Sequence, residues 1–253
     1  WGQQGEYAPD LVAVGFQEIV DLNAVNVAMD NKTQQKSQYW MERVNRTLNN
    51  GKFQHHNYVL LEQKSMVGLL IGVFCKALHQ PRCKYVSSTS VGVGVGGFLG
   101  NKGGVSIRLQ FYDSTICLVN SHLAAHRENV SGRNADFHNV YAKTSWAVGP
   151  EAIREVLRNG GTTTTTNSSA WNANPAGGGA GGPTAPDQFA IGSSHVGIPD
   201  HDICFWLGDL NYRIDESMPT ERVLQLSEKG QLDDLRNLDQ LNIERRAGRA
   251  FDG

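Results

Sequence analysis

The chain of 253 residues is 40% hydrophobic and 19% charged, which is long and apolar enough for one large α/β core or two small ones. A formal net charge of −2 argues against a generally basic nucleic-acid binder, while leaving room for a local basic pocket. Cys75, Cys83, Cys117 and Cys204 form no C-x-x-C pair and three of them lie in apolar runs, so they are expected to be buried thiols of a reducing, cytoplasmic compartment.

In chain order, Leu11-Val-Ala-Val-Gly-Phe16 is a continuous apolar run, the pattern of a strand covered on both faces, and it ends in Gln17-Glu18. Trp40, Val44 and Leu48 recur at helical spacing, and Asn49-Asn50-Gly51 offers a stop. Tyr58–Leu61 and Met66–Phe74 are expected to be neighbouring strands separated by Glu62-Gln-Lys-Ser65. A glycine-rich stretch from Gly92 to Gly104 leads into the strand Val105–Phe111, which Tyr112-Asp113-Ser114 turns into Thr115–Asn120. Residues 126–158 read as mainly helical. Residues 160–198, with a five-threonine run and Gly177-Gly-Gly-Ala-Gly-Gly182, hold too little apolar surface to offset their ordering entropy and read as a flexible insertion. Asp202–Leu207 is the last predicted strand, followed by Gly208-Asp209. The remainder reads as helical, with Val223, Leu224, Leu232, Leu235, Leu238 and Leu241 on its buried side.

Three apolar strands thus end in chemistry-bearing residues: Glu18, then Asn120-Ser121-His122, then Asp209-Leu210-Asn211. Loops at strand ends are freed from packing while the strands hold them rigid, so carboxylates, an imidazole and an amide gathered at one rim suit Mg²⁺ and phosphate. Gly92, Gly94 and Gly97 also match G-x-G-x-x-G, with Asp113 at the distance of a ribose-binding acid. That motif needs a helix to begin at the loop, whereas here a strand follows and Asp113 falls in a turn, so the dinucleotide reading fails on context. A glycine loop bearing Asn101 and Lys102 suits an anionic head group better.

Gly15-Phe-Gln-Glu18, Gly100-Asn-Lys-Gly-Gly-Val105, Asn120-Ser-His-Leu-Ala-Ala-His126, Arg133-Asn134 and Trp206-Leu-Gly-Asp-Leu-Asn-Tyr-Arg213 occur in this order. Together they resemble the catalytic domain of inositol-polyphosphate 5-phosphatases, and residues 201–214 are most similar to the synaptojanin-like branch. The resemblance implies an α/β fold: the four-layer α/β/β/α sandwich of the DNase I-like endonuclease/exonuclease/phosphatase superfamily, as one partial domain over residues 1–253. It implies Mg²⁺-dependent removal of the 5-phosphate from phosphoinositides, with phosphatidylinositol 4,5-bisphosphate as the favoured head group. By the same resemblance Glu18 is the metal ligand and His122 contacts the scissile phosphate. Asp209 orients or deprotonates the attacking water, and Asn211 holds nucleophile and phosphate in line. Asn101, Lys102 and Arg133 are substrate contacts, and Phe98 and Leu99 belong to a loop that can touch lipid. The expected setting is cytoplasmic and peripheral at membranes, with no transmembrane segment and no nucleic-acid partner.

The resemblance also implies parts that the chain does not contain. The family's opening strand with its metal-site asparagine has no counterpart before Trp1. A Pro-Thr-Tyr-Lys segment, a Trp-Cys-Asp-Arg segment and a closing Ser-Asp-His would follow Gly253. The chain alone is therefore expected to be inactive and poorly stable. Two other readings stand beside this one: a related Mg²⁺-dependent nuclease or sphingomyelinase, and a non-catalytic phosphoinositide-binding module.

Overall fold

A computed structural model describes residues 8–20, 31–50, 54–94, 102–149, 151 and 194–252. Strand β1 (Leu11–Phe16) leads to helix α1 (Asn31–Asn50), then to the hairpin of β2 (Tyr58–Met66) and β3 (Leu69–Lys76). β4 (Cys83–Gly92), β5 (Gly103–Phe111) and β6 (Ser114–His122) form a meander, followed by helix α2 (Val130–Lys143) and β7 (Ser145–Val148). β8 (Ser194–Gly197) and β9 (Ile203–Asp209) precede three short helices, α3 (Thr220–Glu228), α4 (Leu232–Asn237) and α5 (Gln240–Arg246).

The strands make two principal sheets, antiparallel β1-β3-β2 and mixed β4-β5-β6-β9, with β9 parallel to β6, and a separate β7-β8 pair. Leu69, Ile71 and Val73 of β3 pack on Val105, Ile107 and Leu109 of β5 and on Ile116 and Leu118 of β6, so the central core lies between the sheets. The outer face of the first sheet, with Val12, Leu70 and Phe74, takes Met41 and Leu48 of α1, with Trp40 and Val44 packed alongside. Val119 and Cys117 on the outer face of the second sheet meet Val140 of α2 and Trp146, Val148, Val196 and Ile198 around the β7-β8 pair. Helix, sheet, sheet and helix are the four layers expected. β1 is covered on both sides because Val12, Val14 and Phe16 face α1 while Leu11 and Ala13 face the other sheet.

Several sequence expectations are corrected. Glu62–Ser65 do not separate two strands: β2 runs on to Met66 and the hairpin turns at Val67-Gly68, with Gly68 at φ 80°. A polar stretch is tolerated there because β2 is an edge strand. β4 was missed for the same reason; its Ser87-Ser-Thr-Ser90 run carries no apolar signal, and β4 lies at the edge of its sheet. The helical reading of 126–158 fails at Ser145-Trp-Ala-Val148, which alternates exposed and buried side chains as β7 does; residues 152–158 lie outside the described residues. The insertion assigned to 160–198 is too long at its C-terminal end, since residues 194–197 pair with β7; residues 160–193 lie outside the described residues. Among the C-terminal side chains expected inside, Leu235 is buried, but Leu224 and Leu232 are exposed and Leu226 is buried in their place. Cys204 is exposed rather than buried, together with its β9 neighbours Ile203 and Phe205.

Asn120 joins the two sheets. Its side chain is fully buried in β6 and Nδ2 donates to the carbonyls of Phe16 (3.1 Å) and Leu70 (3.0 Å), while Oδ1 accepts from Gln17 Nε2 at 2.5 Å. Asn120→Ala leaves two buried carbonyls without donors, and we expect urea denaturation to show a loss of about 2–4 kcal/mol. An unchanged midpoint and slope would remove Asn120 from this role.

Candidate active site

The three strand ends named from sequence meet at one rim. In the parallel register of β6 and β9, His122 stands opposite Asp209, and Leu123 N–H donates to the Asp209 carbonyl at 3.0 Å. His122 Nε2 lies 3.5 Å from Asp209 Oδ2 and 3.8 Å from Glu18 Oε1. The imidazole is 2% exposed, whereas the two carboxylates are 47% and 65% exposed, so a buried base faces two open acids. Lys102 Nζ donates to the same Nε2 at 2.5 Å, which requires that nitrogen to be unprotonated. Burial pushes the His122 pKa down, and the Lys102 ammonium pushes it further; Asp209 and Glu18 oppose them. Burial likewise lowers the Lys102 pKa, against the pull of Asp209, Glu18 and Asp136.

Local chain geometry explains why these motifs carry glycine next to their functional residues. Gly208 has φ 128° and packs on the Ser121 backbone, where a Cβ would overlap the carbonyl oxygen. Only glycine lets β9 approach β6 closely enough to deliver Asp209 beside His122. Gly103, at φ 143° against the Val91 carbonyl, does the same for Lys102. Glu18, just past β1, and Asn211, just past β9, adopt positive φ (55° and 59°), a strained backbone of a kind found at functional sites.

The other expected residues are placed differently. The Asn211 amide is buried and engaged by protein: Nδ2 donates to the Leu123 carbonyl (2.9 Å) and Oδ1 accepts from Arg213 Nη2 (2.7 Å). Arg133 on α2 is fully buried; its Nη1 donates to the His126 carbonyl (2.5 Å) and its Nη2 to the Arg127 carbonyl (3.1 Å) and Gln240 Oε1 (2.7 Å). Its guanidinium also lies over the Tyr212 ring, 5.1 Å from the centroid. In this arrangement Arg133 holds the loop that follows His122 and docks α5 against it. Asn101, and with it Phe98 and Leu99, lie outside the described residues.

Sequence reasoning missed Asp136. It sits one helical turn after Arg133 on the same side of α2, and one carboxylate oxygen accepts from Ala124 N–H at 2.8 Å. That i, i+3 spacing in α2 was the available signal. Burial raises its pKa to about 6, against the Ala124 hydrogen bond and the Lys102 charge, which lower it. A carboxyl whose folded pKa lies above its unfolded value of 3.8 contributes stability that is fully present below about pH 4 and lost as pH rises through about 6. Asp136→Asn keeps an acceptor for Ala124 without the buried charge. We expect it to stabilise the protein at pH 8 by on the order of 1 kcal/mol, after allowing for solvent screening, and to change little at pH 4. Equal urea midpoints of parent and variant at pH 8 would contradict this.

Glu18 and Asp209 offer hard carboxylate oxygens at an open rim, the donors that Mg²⁺ accepts alongside water and substrate phosphate. Among the described residues no group of three or more His, Cys, Asp or Glu side chains is gathered to hold a metal by itself. Two open carboxylates are a donor set that suits a cation keeping much of its water.

The family model described as Endonuclease/Exonuclease/phosphatase family 2 matches residues 2–253. Synaptojanin-1 of Homo sapiens is 31% identical over 244 residues, covering 96% of this chain and 12% of that protein. Type II inositol polyphosphate 5-phosphatase 15 of Arabidopsis thaliana is 31% identical over 254 residues, covering 96% of this chain and 21% of its own length. The crystal structure of the inositol polyphosphate 5-phosphatase domain of SPsynaptojanin, in complex with inositol (1,4)-bisphosphate and calcium ion, superposes with a TM-score of 0.64 at 29% identity. It covers 96% of this chain and 55% of that one, so the chain spans about half of the solved domain and far less of the curated relatives.

Proposed function

This chain belongs to the endonuclease/exonuclease/phosphatase family 2, and on that premise we propose that it forms the catalytic rim of an inositol-polyphosphate 5-phosphatase acting on phosphoinositides at the cytoplasmic face of a membrane. The observation that carries the reading is the meeting of Glu18, Lys102, His122 and Asp209 at the ends of four different strands, with a buried imidazole between open carboxylates. Similarity to synaptojanins and inositol polyphosphate 5-phosphatases over 96% of the chain supports the substrate class. The net charge of −2 favours this reading over the nuclease one, because a nuclease must neutralise a long run of phosphates.

Phosphoryl transfer asks a protein mainly for positioning and charge stabilisation. The Lys102–His122 pair places one positive charge, held in a partly dry environment, where a phosphate would arrive. Asp209, open to solvent and anchored through its backbone to Leu123, is placed to accept a proton from an attacking water. Asn211 locks the segment after Asp209 onto the segment after His122, so the two groups keep their separation. Glu18 would hold Mg²⁺, which when bound would polarise a phosphoryl oxygen and lower the pKa of a bound water.

The deciding assay is phosphate release from phosphatidylinositol 4,5-bisphosphate, with Mg²⁺ and with EDTA. It is run on a folded preparation of the protein. Mg²⁺-dependent release is the expected result. A folded protein that binds the lipid and releases nothing would replace the enzyme with the binding module.

A further inference from the structure

We propose that Cys117 and Cys204 are a peroxide-sensitive thiol pair that closes to a disulfide between β6 and β9, a covalent clasp on the ladder that sets His122 opposite Asp209. Cys117 and Cys204 are direct partners in the parallel register of the two strands, and His122 and Asp209 are partners in the same ladder at its other end. Residues directly opposite each other in a sheet project to the same face. Hydrogen-bonded strands run about 4.7–4.9 Å apart, inside the range of about 4.4–6.8 Å that a disulfide spans between Cα atoms. The spacing of the strands therefore admits the bond, and both cysteines are free thiols in this structure.

The surroundings give the two sulfurs different parts. Cys204 is exposed on the edge strand β9, and its hydrogen bond with the Cys117 thiol draws its pKa down, against desolvation, which raises it. The thiolate is the form that attacks peroxide, so Cys204 reacts first. Cys117 is fully buried, and the hydrogen bond with Cys204, together with burial, pushes its pKa up. On its other side Cys117 is the antiparallel partner of Arg108 in β5, a guanidinium 2% exposed whose charge favours the Cys117 thiolate. Arg108 donates from Nε to His201 Nε2 (3.0 Å) and from Nη1 to the Tyr85 carbonyl (3.2 Å), two uncharged acceptors that leave its charge available to a neighbouring sulfur. Cys75 and Cys83 are held differently. Burial pushes the Cys75 thiol up to about 12 and raises that of Cys83, whose Sγ donates to the His79 carbonyl at 3.4 Å.

The chemistry takes two steps. The Cys204 thiolate attacks one oxygen of hydrogen peroxide, the O–O bond breaks, hydroxide leaves and is protonated to water, and Cys204 becomes a sulfenic acid. The deprotonated Cys117 sulfur then attacks the Cys204 sulfur, the S–O bond breaks, and the oxygen leaves as a second water. Two thiols lose two electrons between them and one peroxide is reduced to two waters. A dithiol reductant reverses the bond, as suits a transient, redox-sensing disulfide.

The test is peptide mass spectrometry of the whole chain after hydrogen peroxide, with the remaining thiols blocked by N-ethylmaleimide on unfolding. The expected result is a cross-linked peptide joining Cys117 to Cys204, reversed by dithiothreitol, with Cys75 and Cys83 alkylated. Cys204→Ser is expected to abolish the cross-link, and because the side chain is exposed its circular dichroism melt is expected to match the parent. In a folded Cys117→Ser protein the Cys204 sulfenic acid has no second thiol to meet and is expected to accumulate as its dimedone adduct. The oxidised chain is expected to show a higher urea midpoint than the same sample reduced with dithiothreitol, because the bond closes a long loop of chain. A Cys75–Cys83 link, dimers joined through Cys204, or Cys204 oxidised to sulfinic acid with Cys117 still free would each overturn the pair. A Cys117–Cys204 cross-link without a rise in midpoint would overturn the clasp.

Discussion

Replacing His122 by alanine is expected to lower Mg²⁺-dependent phosphate release at least ~10²-fold, the scale of losing one preorganised stabilising group in a water-poor site. The reason is geometric. His122 lies within 3.5–3.8 Å of both carboxylates and receives the Lys102 ammonium, so its removal leaves Lys102 without its acceptor and the two carboxylates without the imidazole between them. Because the ring is 2% exposed, the variant also leaves a cavity at the end of β6. Turnover is therefore compared only between samples with matching circular dichroism spectra. Turnover near the parent value in a folded His122→Ala protein would dismiss the role. In pH terms, the depressed His122 pKa means that the neutral ring contributes stability present above the unfolded value of 6.5 and lost as pH falls through its folded value. In His122→Ala this component of acid sensitivity is expected to disappear.

Arg133→Ala is expected to have the largest effect on stability, about 3–5 kcal/mol in urea denaturation. The guanidinium is fully buried and its donors reach the carbonyls of His126 and Arg127 and the Gln240 side chain, each of which would lose one of its two donors without it, Asn129 N–H, Gln240 Nε2 and Arg213 N–H remaining. Gln240 is itself shared: Oε1 also accepts from Arg213 N–H (2.8 Å) and Nε2 donates to the Arg127 carbonyl (2.9 Å). Losing Arg133 thus loosens α5, the Arg213 segment and the loop behind His122 together, and the couplings make the cost larger than one hydrogen bond. The resemblance assigns Arg133 to substrate, and the same variant separates the two roles. A weakened affinity for inositol 1,4,5-trisphosphate with an unchanged urea midpoint would restore the substrate contact. A shifted midpoint identifies a residue that positions the loop.

The contrast between Arg133 and Lys102 shows where reading a sequence stops. Both are cations inside distinctive motifs, and nothing local says that one is spent on backbone carbonyls while the other reaches an imidazole. That depends on which loop returns to which helix, a contact separated by more than one hundred residues in the case of Arg133 and Gln240. Asp136 escaped notice for the same reason, since a carboxylate at an ordinary helical position acquires its raised pKa only when the Ala124 loop and Lys102 close over it.

What the sequence by itself determined is whatever depends on short-range pattern. Continuous apolar runs specified β1, β6 and β9, although only β1 and β6 are covered on both faces and Ile203, Cys204 and Phe205 of β9 are exposed, and the residues ending them, Glu18, His122 and Asp209, were legible as a rim. Helix α1 followed from its apolar spacing, and the four layers followed from the motif order. Tertiary structure alone decided the polar second half of the edge strand β2 and the whole of edge strand β4, stabilised by a partner on one side, and the β7-β8 pair, joined across a long stretch of chain. It also decided the distances that make a site. The parallel register of β6 and β9 sets His122 against Asp209, and register is a property of two strands packed together that neither strand carries alone.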